Sequence, residues 1–301
     1  MGLGCMGLSW GYTDPSQSHE DRVTFLRAAF HAGVRLFDTS DQYGPFTNEA
    51  LVGEALEAVR PEVFLATKGG LVVDAERRTG RNGSPKYLRE ALSASLARLR
   101  TDYADLYQLH RVDPSVPLEH SWEALAALAE AGLTKQIGLS EVSIEEIERA
   151  QRIHPVASIQ SELSLWSREP LAEVIDYCAD HGITFIAYSP IGRGFLGGST
   201  DIGSLPAGDW RRNNPRFRAD AAHVNRTNIV QPLEQCAREI GATPAQVAIA
   251  WVLAQGDHIV TIPGTQRLQY LQQNLAAGAI SIPEEWMQRL NNLPTAVGSR
   301  Y

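Results

Sequence analysis

Short apolar runs alternate along this chain with longer stretches in which apolar positions return every three or four residues. The first pattern suits buried strands and the second amphipathic helices. A brief strand candidate, Gly2 to Met6, is followed by a Gly/Ser/Trp-rich turn over residues 7–13. Val23, Phe25, Leu26, Ala29 and Phe30 then give His19 to Gly33 a helical period with a glycine stop. Further strands are predicted over 35–38, 63–68, 105–110, 136–140, 157–160, 183–189 and 258–262. Between and after them, helices are predicted over 48–59, from Ser84-Pro85 onward, and over 118–131, 144–152, 170–182, 227–240, 244–255, 267–276 and 283–292. Ser143 with Glu146 three residues later is a capping box for the helix at 144. Residues 74–84 read as a polar, arginine-rich loop and 190–225 as a long irregular stretch.

Eight strand candidates, each followed by helix, imply a parallel sheet covered on both faces. The fold class is α/β, a closed (β/α)8 barrel in which residues 1–301 form one domain. Strand one starts at once, with no β-hairpin before it in this sequence. The rival is an open, doubly wound sheet. It is weakened because the one GxGxxG match, Gly192 to Gly197, sits late and does not run into a helix.

Composition narrows the class. The chain has 44% apolar and 21% charged residues, with no run of 18 or more apolar positions to span a membrane. Its start lacks a basic secretory region, and Met6 breaks the myristoylation pattern, so a cytoplasmic location is expected. A net charge of −8 argues against general nucleic-acid binding. Cys5, Cys178 and Cys236 are isolated, which disfavours disulfides and a metal site and suits small core residues.

The candidate chemistry lies at strand ends. Asp38, Lys68 and His110 each close an apolar run, on strands two, three and four, and Tyr43 follows Asp38 by five residues. In a barrel these ends converge on one face, where active sites form. A buried carboxylate needs a partner, and Lys68 is one of only three lysines. An ammonium beside a phenol is expected to lower its pKa and make Tyr43 a proton donor to a forming alkoxide, with Asp38 holding Lys68 and His110 orienting the carbonyl. The cluster lacks a hydride source, which implies a nicotinamide cofactor. Singly, each residue has a structural reading, as an ion pair or a backbone cap. Four compatible residues in barrel order favour the catalytic one.

These motifs give the chain a specific resemblance. Phe-Asp38-Thr-Ser-Asp-Gln-Tyr43-Gly, Ala-Thr-Lys68, Leu-His110, Gly-Leu-Ser140-Glu, Gln160-Ser-Glu, Ala-Tyr188-Ser-Pro-Ile-Gly192-Arg-Gly194 and Ile-Pro-Gly264-Thr resemble the aldo-keto reductases over nearly the whole length. Within that family the chain is similar to the pyridoxal-reductase-like and perakine-reductase-like members. The resemblance implies reduction of aldehydes or ketones to alcohols, with hydride from nicotinamide and proton from Tyr43, in a tetrad of Asp38, Tyr43, Lys68 and His110. It implies that Ser140 and Gln160 bind the carboxamide, that Tyr188 stacks on the ring, and that Ser189, Pro190, Ile191, Gly192 and Gly194 follow the pyrophosphate. Gly264, Thr265, Arg267, Gln273 and Asn274 then surround the adenosine end.

NADPH is the implied cofactor and NADH an admissible one, since Gln266 stands where a phosphate-binding Arg is common, with Arg267 beside it. Trp10, Tyr12, Phe46 and Trp166 are the candidate substrate-pocket aromatics, and Arg111 and Arg193 candidate anion contacts. A small-molecule carbonyl is the implied partner. Acidic outer helices serve equally as free surface or dimer face, so the oligomeric state stays open. The alternative is a cofactor-sensing subunit similar to the potassium-channel β subunits, which share this fold.

Overall fold

The computed structural model describes every residue except Thr13, Ser199, Thr200, Asp201, Ala207 and Tyr301. The end of the N-terminal turn and parts of the 190–225 stretch therefore lie outside the described residues. Eight strands form one parallel sheet in chain order: β1 (Leu3–Gly4), β2 (Leu36–Asp38), β3 (Phe64–Gly69), β4 (Ala104–Leu109), β5 (Thr134–Ser140), β6 (Ser158–Glu162), β7 (Thr184–Tyr188) and β8 (Ile259–Thr261). The sheet closes on itself between first and last strands, where Gly2 N–H donates to Thr261 O at 2.9 Å. At that seam β1 comes so close that a Cβ on Gly4 would lie 2.7 Å from Ile262 O, so the closure needs glycine there. This is the (β/α)8 barrel expected from the alternation.

Strand periodicity explains why one end of the barrel is polar. Side chains two apart share a face. Ala66, Leu106 and Ile186 form an apolar inner layer with Ile262, packed by Leu36 and Tyr188. Two residues further along the same strands come Asp38, Lys68, Gln108 and Tyr188, and β6 adds Gln160 in register with Ser140 of β5. A greasy floor thus carries a polar ceiling at the C-terminal ends. Outside the barrel, larger apolar clusters seat the helices, including Leu92, Leu96, Trp122 and Trp251 on one side and Leu26, Phe37, Val52 and Leu56 on the other.

Most helices follow the predicted spans, from His19–His31 through Glu284–Asn291. Ser143 caps Ile144–Gln151 with the reciprocal Glu146 bond expected. Three segments differ. The polar loop contains an antiparallel hairpin, Leu71–Val73 with Thr79–Arg81, closed by Asp74 accepting from the Arg78 backbone at 2.8 Å. Thr79, Gly80 and Arg81 are exposed, so no apolar alternation marks that strand. The 170–182 helix is broken at Glu173 into a 3-10 turn, Glu169–Ala172, and a short helix, Val174–Asp180. The helix predicted from 227 begins earlier, at Ala219, and runs through a π-turn, Arg226–Val230, into Gln231–Ile240. Pro232 has no N–H to offer the preceding turn, and the wider turn before it accommodates that loss.

Candidate active site

At the C-terminal ends of β2 and β3, Lys68 Nζ donates to Asp38 Oδ1 at 2.6 Å and to Thr39 O at 2.8 Å. Both side chains of the pair are buried, Lys68 completely. Burial works against the ammonium, but Asp38 and Tyr43 outweigh it, so the Lys68 pKa is raised above the ordinary lysine value. Tyr43 is buried, with Lys68 Nζ 5.3 Å from its ring centroid. The His110 ring meets it edge-on at 6.0 Å. Burial, then Lys68 and Arg111, push the His110 pKa well below the ordinary value, so the imidazole is neutral at pH 7. One expectation is corrected. Tyr43's pKa is raised by burial, and Lys68 offsets that rise without reversing it.

Asp38, Tyr43 and His110, though buried, line a cleft of about 900 Å³, with Lys68 behind them. Ser140, Gln160, Tyr188, Ser189, Pro190, Ile191, Gly194, Gly264 and Thr265 line the same cleft. Both amide hydrogens of Gln160 are engaged, with Asp38 Oδ2 at 2.8 Å and Gln108 Oε1 at 3.0 Å, which leaves Oε1 for an incoming donor. Ser140 Oγ accepts from Arg111 at 2.9 Å and keeps its own O–H to give. The backbone after β7 is left-handed at Ser189, Gly192, Arg193 and Gly194. Such curled runs can gather backbone N–H groups about an anion. Here Gly192 and Gly194 spend theirs on Ser189 O at 2.9 Å and Ile191 O at 3.1 Å, which leaves the task to the other N–H groups of the turn. The cradle is tight, since a Cβ on Gly192 would lie 2.6 Å from the Trp166 indole. Gly192→Ala, at φ +55, is expected to lower stability by about 1–3 kcal/mol, read by urea unfolding. These groups fit an extended ligand with an amide at one end and a pyrophosphate along its length.

Of the remaining candidates, Gly192, Arg267, Gln273 and Asn274 do not line the cleft. Arg267 is exposed, 3.9 Å from Asp14, and Gln273 gives its carbonyl to Gln246 at 3.1 Å. Asn274 is buried and not on the surface. Gln266 is committed to the N-terminal loop, accepting from Asp14 N at 2.8 Å and donating to Tyr12 O at 3.1 Å. Trp10 and Tyr12 line the cleft, but Phe46 and Trp166 do not. Phe46 is half exposed with Arg98 over its ring, and Trp166 is buried against Phe195 and Phe217.

Sequence reasoning missed the opposite wall. Glu162 is fully buried, accepting from Ser167 Oγ at 2.7 Å and Arg193 Nη2 at 3.2 Å. Arg300 folds back from the chain's end to pair with Glu141, whose pKa stays below the usual range because that pairing outweighs burial. Trp210 and Arg211, from the irregular stretch, complete this wall, with Trp210 stacked on Tyr12 at 6.0 Å. No apolar period marks these residues. Only the run Trp210-Arg-Arg hinted at a charged, aromatic surface.

A barrel whose polar strand ends close on an extended cleft, with a buried Lys–Asp pair under a tyrosine and a histidine, belongs to the class of cofactor-dependent barrel enzymes. More particularly, the chain belongs to the aldo/keto reductase family, whose model matches residues 1–294. It is 42% identical to a probable aldo-keto reductase of Glycine max over 96% of this chain and 84% of the relative. Among solved structures it is similar to a glycerol dehydrogenase of Gluconobacter oxydans, with a TM-score of 0.86 and 26% identity over 97% of this chain and 90% of that one. An aldo/keto reductase of Klebsiella pneumoniae, solved with NADP and acetate, matches with a TM-score of 0.75 and 25% identity over 99% and 93% of the two chains. The protein is therefore an oxidoreductase acting on small-molecule carbonyls with a nicotinamide cofactor. Among the described residues, no helix is long and apolar enough to cross a membrane.

Proposed function

We propose that the protein reduces aldehydes or ketones with NADPH, that Tyr43 supplies the proton, and that within the family it belongs with the pyridoxal- and perakine-reductase-like members. The observation that carries this reading is the buried Lys68–Asp38 pair at 2.6 Å beneath a tyrosine that opens onto the cleft. When bound, the nicotinamide supplies the hydride. Tyr43 holds its proton through neutral pH because burial raises its pKa, and it releases that proton only as negative charge develops on the carbonyl oxygen. Lys68, itself held charged by Asp38, stabilises the phenolate left behind. His110, neutral, orients the carbonyl by a hydrogen bond. Ser140 and the free Oε1 of Gln160 receive the carboxamide, Tyr188 flanks the ring, and the curled backbone after β7 receives the pyrophosphate.

The exposed Arg267 is the group proposed to take the 2′-phosphate of NADPH, since Gln266 is occupied by the N-terminal loop. Steady-state oxidation of NADPH and of NADH with a panel of aromatic aldehydes tests both parts. Turnover is expected with both cofactors at lower KM for NADPH, and Arg267→Ala is expected to raise that KM about tenfold without changing the KM for NADH. Cofactor binding with no turnover on any carbonyl would overturn the reductase reading. An equal effect of the substitution on both cofactors would overturn the role of Arg267.

A further inference from the structure

Ser40 stands between the active-site histidine and a carboxylate outside the tetrad. Its Oγ lies 3.1 Å from His110 Nδ1 and 3.3 Å from Asp41 Oδ1, and all three residues are buried. A hydroxyl has one proton to give and two lone pairs with which to accept. One lone pair takes the Gln42 backbone N–H at 3.2 Å. The single proton and the other lone pair are left for His110 and Asp41, with Lys68 O a longer acceptor at 3.4 Å. Ser40 can donate to only one of its two neighbours at a time.

An ionised Asp41 can only accept. Ser40 then turns its proton to the carboxylate, and its oxygen is left to accept from an Nδ1–H on His110. A protonated Asp41 donates to Ser40 instead, the Ser40 proton turns to Nδ1, and the neutral imidazole carries its own proton on Nε2. We infer that Asp41, acting through Ser40, sets which nitrogen of His110 carries the proton. Asp41 is a positioning residue, since it touches the reacting groups only through this relay. The imidazole holds one proton in either state, and the proton Asp41 loses passes to solvent.

The surroundings of Asp41 make both states accessible. Tyr87, from the helix Pro85–Leu99, hydroxyl-bonds its Oδ2 at 3.2 Å. Arg98 of that helix pairs at 2.7 Å with Glu49, which comes from the helix Thr47–Leu56. Tyr107 of β4 lies within the field of Asp41, and the Asp41 N–H donates to Lys68 O at 3.2 Å. Burial, then Glu49, push the Asp41 pKa up to about 7, against the pull of Tyr87, Ser40 and Arg98. Asp41 thus changes charge near neutrality while His110, faced by Lys68 and Arg111, stays neutral on both sides of that change.

The consequence for turnover rests on the proposed role of His110. Nδ1 is turned to Ser40, so Nε2 is the nitrogen left to face a substrate, and it must carry hydrogen to orient a carbonyl oxygen. Reduction is therefore favoured while Asp41 is protonated. Because the acid form is the active one, kcat falls as pH rises through the Asp41 pKa, by about tenfold between one unit below and one unit above it.

Nitrogen-15 NMR of the histidine-labelled full chain, with His110 assigned by difference from His110→Asn, reads the tautomer without any substrate. The expected result is Nε2–H at low pH passing to Nδ1–H at high pH, with a midpoint near neutrality. Asp41→Asn and Ser40→Ala are each expected to leave the tautomer independent of pH over the same range. A wild-type tautomer that does not change, or a midpoint unmoved by both substitutions, overturns the inference. A pH profile of kcat separates it from the reading beneath it: a tautomer change that kcat ignores supports the relay and overturns His110 as the orienter of the carbonyl. Should Asp41→Asn fold poorly, Ser40→Ala alone decides, because it cuts the relay without touching the carboxylate.

Discussion

Replacing Tyr43 by phenylalanine lowers kcat for carbonyl reduction by roughly 10²–10⁴-fold, the range expected when a positioned proton donor is removed. The ring keeps its place beside Lys68 and edge-on to His110, so the loss isolates the hydroxyl. Cofactor binding, followed by quenching of intrinsic fluorescence, is expected to stay within about twofold, because the carboxamide and pyrophosphate contacts lie on other strands. The size of the effect follows from the electrostatics. An alkoxide forming against the buried Tyr43 and His110 has few proton sources at hand, and Tyr43 keeps its proton available through neutral pH because burial raises its pKa. Lys68 acts mainly on the product of the transfer, stabilising a phenolate that burial would otherwise penalise. Equal kcat in the two proteins would remove Tyr43 from the mechanism and leave His110 or water as donor.

The barrel was readable because short buried apolar runs, such as Leu65-Ala66, Leu106-Tyr107 and Phe185-Ile186-Ala187, recur between stretches of helical period. Asp38, Lys68 and His110 stood out for the same physical reason: a charged or polar side chain closing a buried strand is costly unless it has work or a partner. Gln108 carried the same signal, two residues before His110 on the inward face of β4, and was passed over because an uncharged amide costs less to bury. The opposite wall was not legible. Arg193 was singled out as an anion contact, but Glu162, Arg211 and Arg300 are far apart in sequence and come to this wall only through the tertiary fold, and an arginine that pairs with a carboxylate looks in sequence like any solvated arginine. Two of the four pocket aromatics fall outside the cleft for a similar reason. Phe46 sits at a left-handed turn that directs it outward, and Trp166 fills the space beneath Gly192. Aromatic residues in loops carry no period to say which way they face.

Asp38→Leu is expected to destabilise the protein by about 3–5 kcal/mol, the cost of leaving a buried charge without its counter-ion. Lys68 is completely buried, and after the substitution its ammonium would keep Thr39 O and the uncharged Tyr43 hydroxyl but no counter-ion, while Gln160 would lose the Asp38 Oδ2 acceptor. The buried lysine then relieves the cost by giving up its proton. Its folded pKa falls below its unfolded value, the unfolded chain binds more protons, and stability rises with pH until the unfolded lysine itself titrates at about 10.4. Wild type shows the opposite sign at this group, because Asp38 and Tyr43 raise the folded pKa of Lys68 and its contribution is lost as pH climbs through that raised value. The double substitution Asp38→Leu with Lys68→Met removes both charges and is expected to recover most of the lost stability, since an apolar pair of similar volume replaces a buried ion pair at little cost. Neither variant recovers turnover, because both lack the cation that steadies the Tyr43 phenolate. Urea unfolding at several pH values measures all of this. A single substitution costing under about 1 kcal/mol, with no dependence on pH, would mean that the Lys68–Asp38 pair is not the desolvated unit on which the mechanism depends.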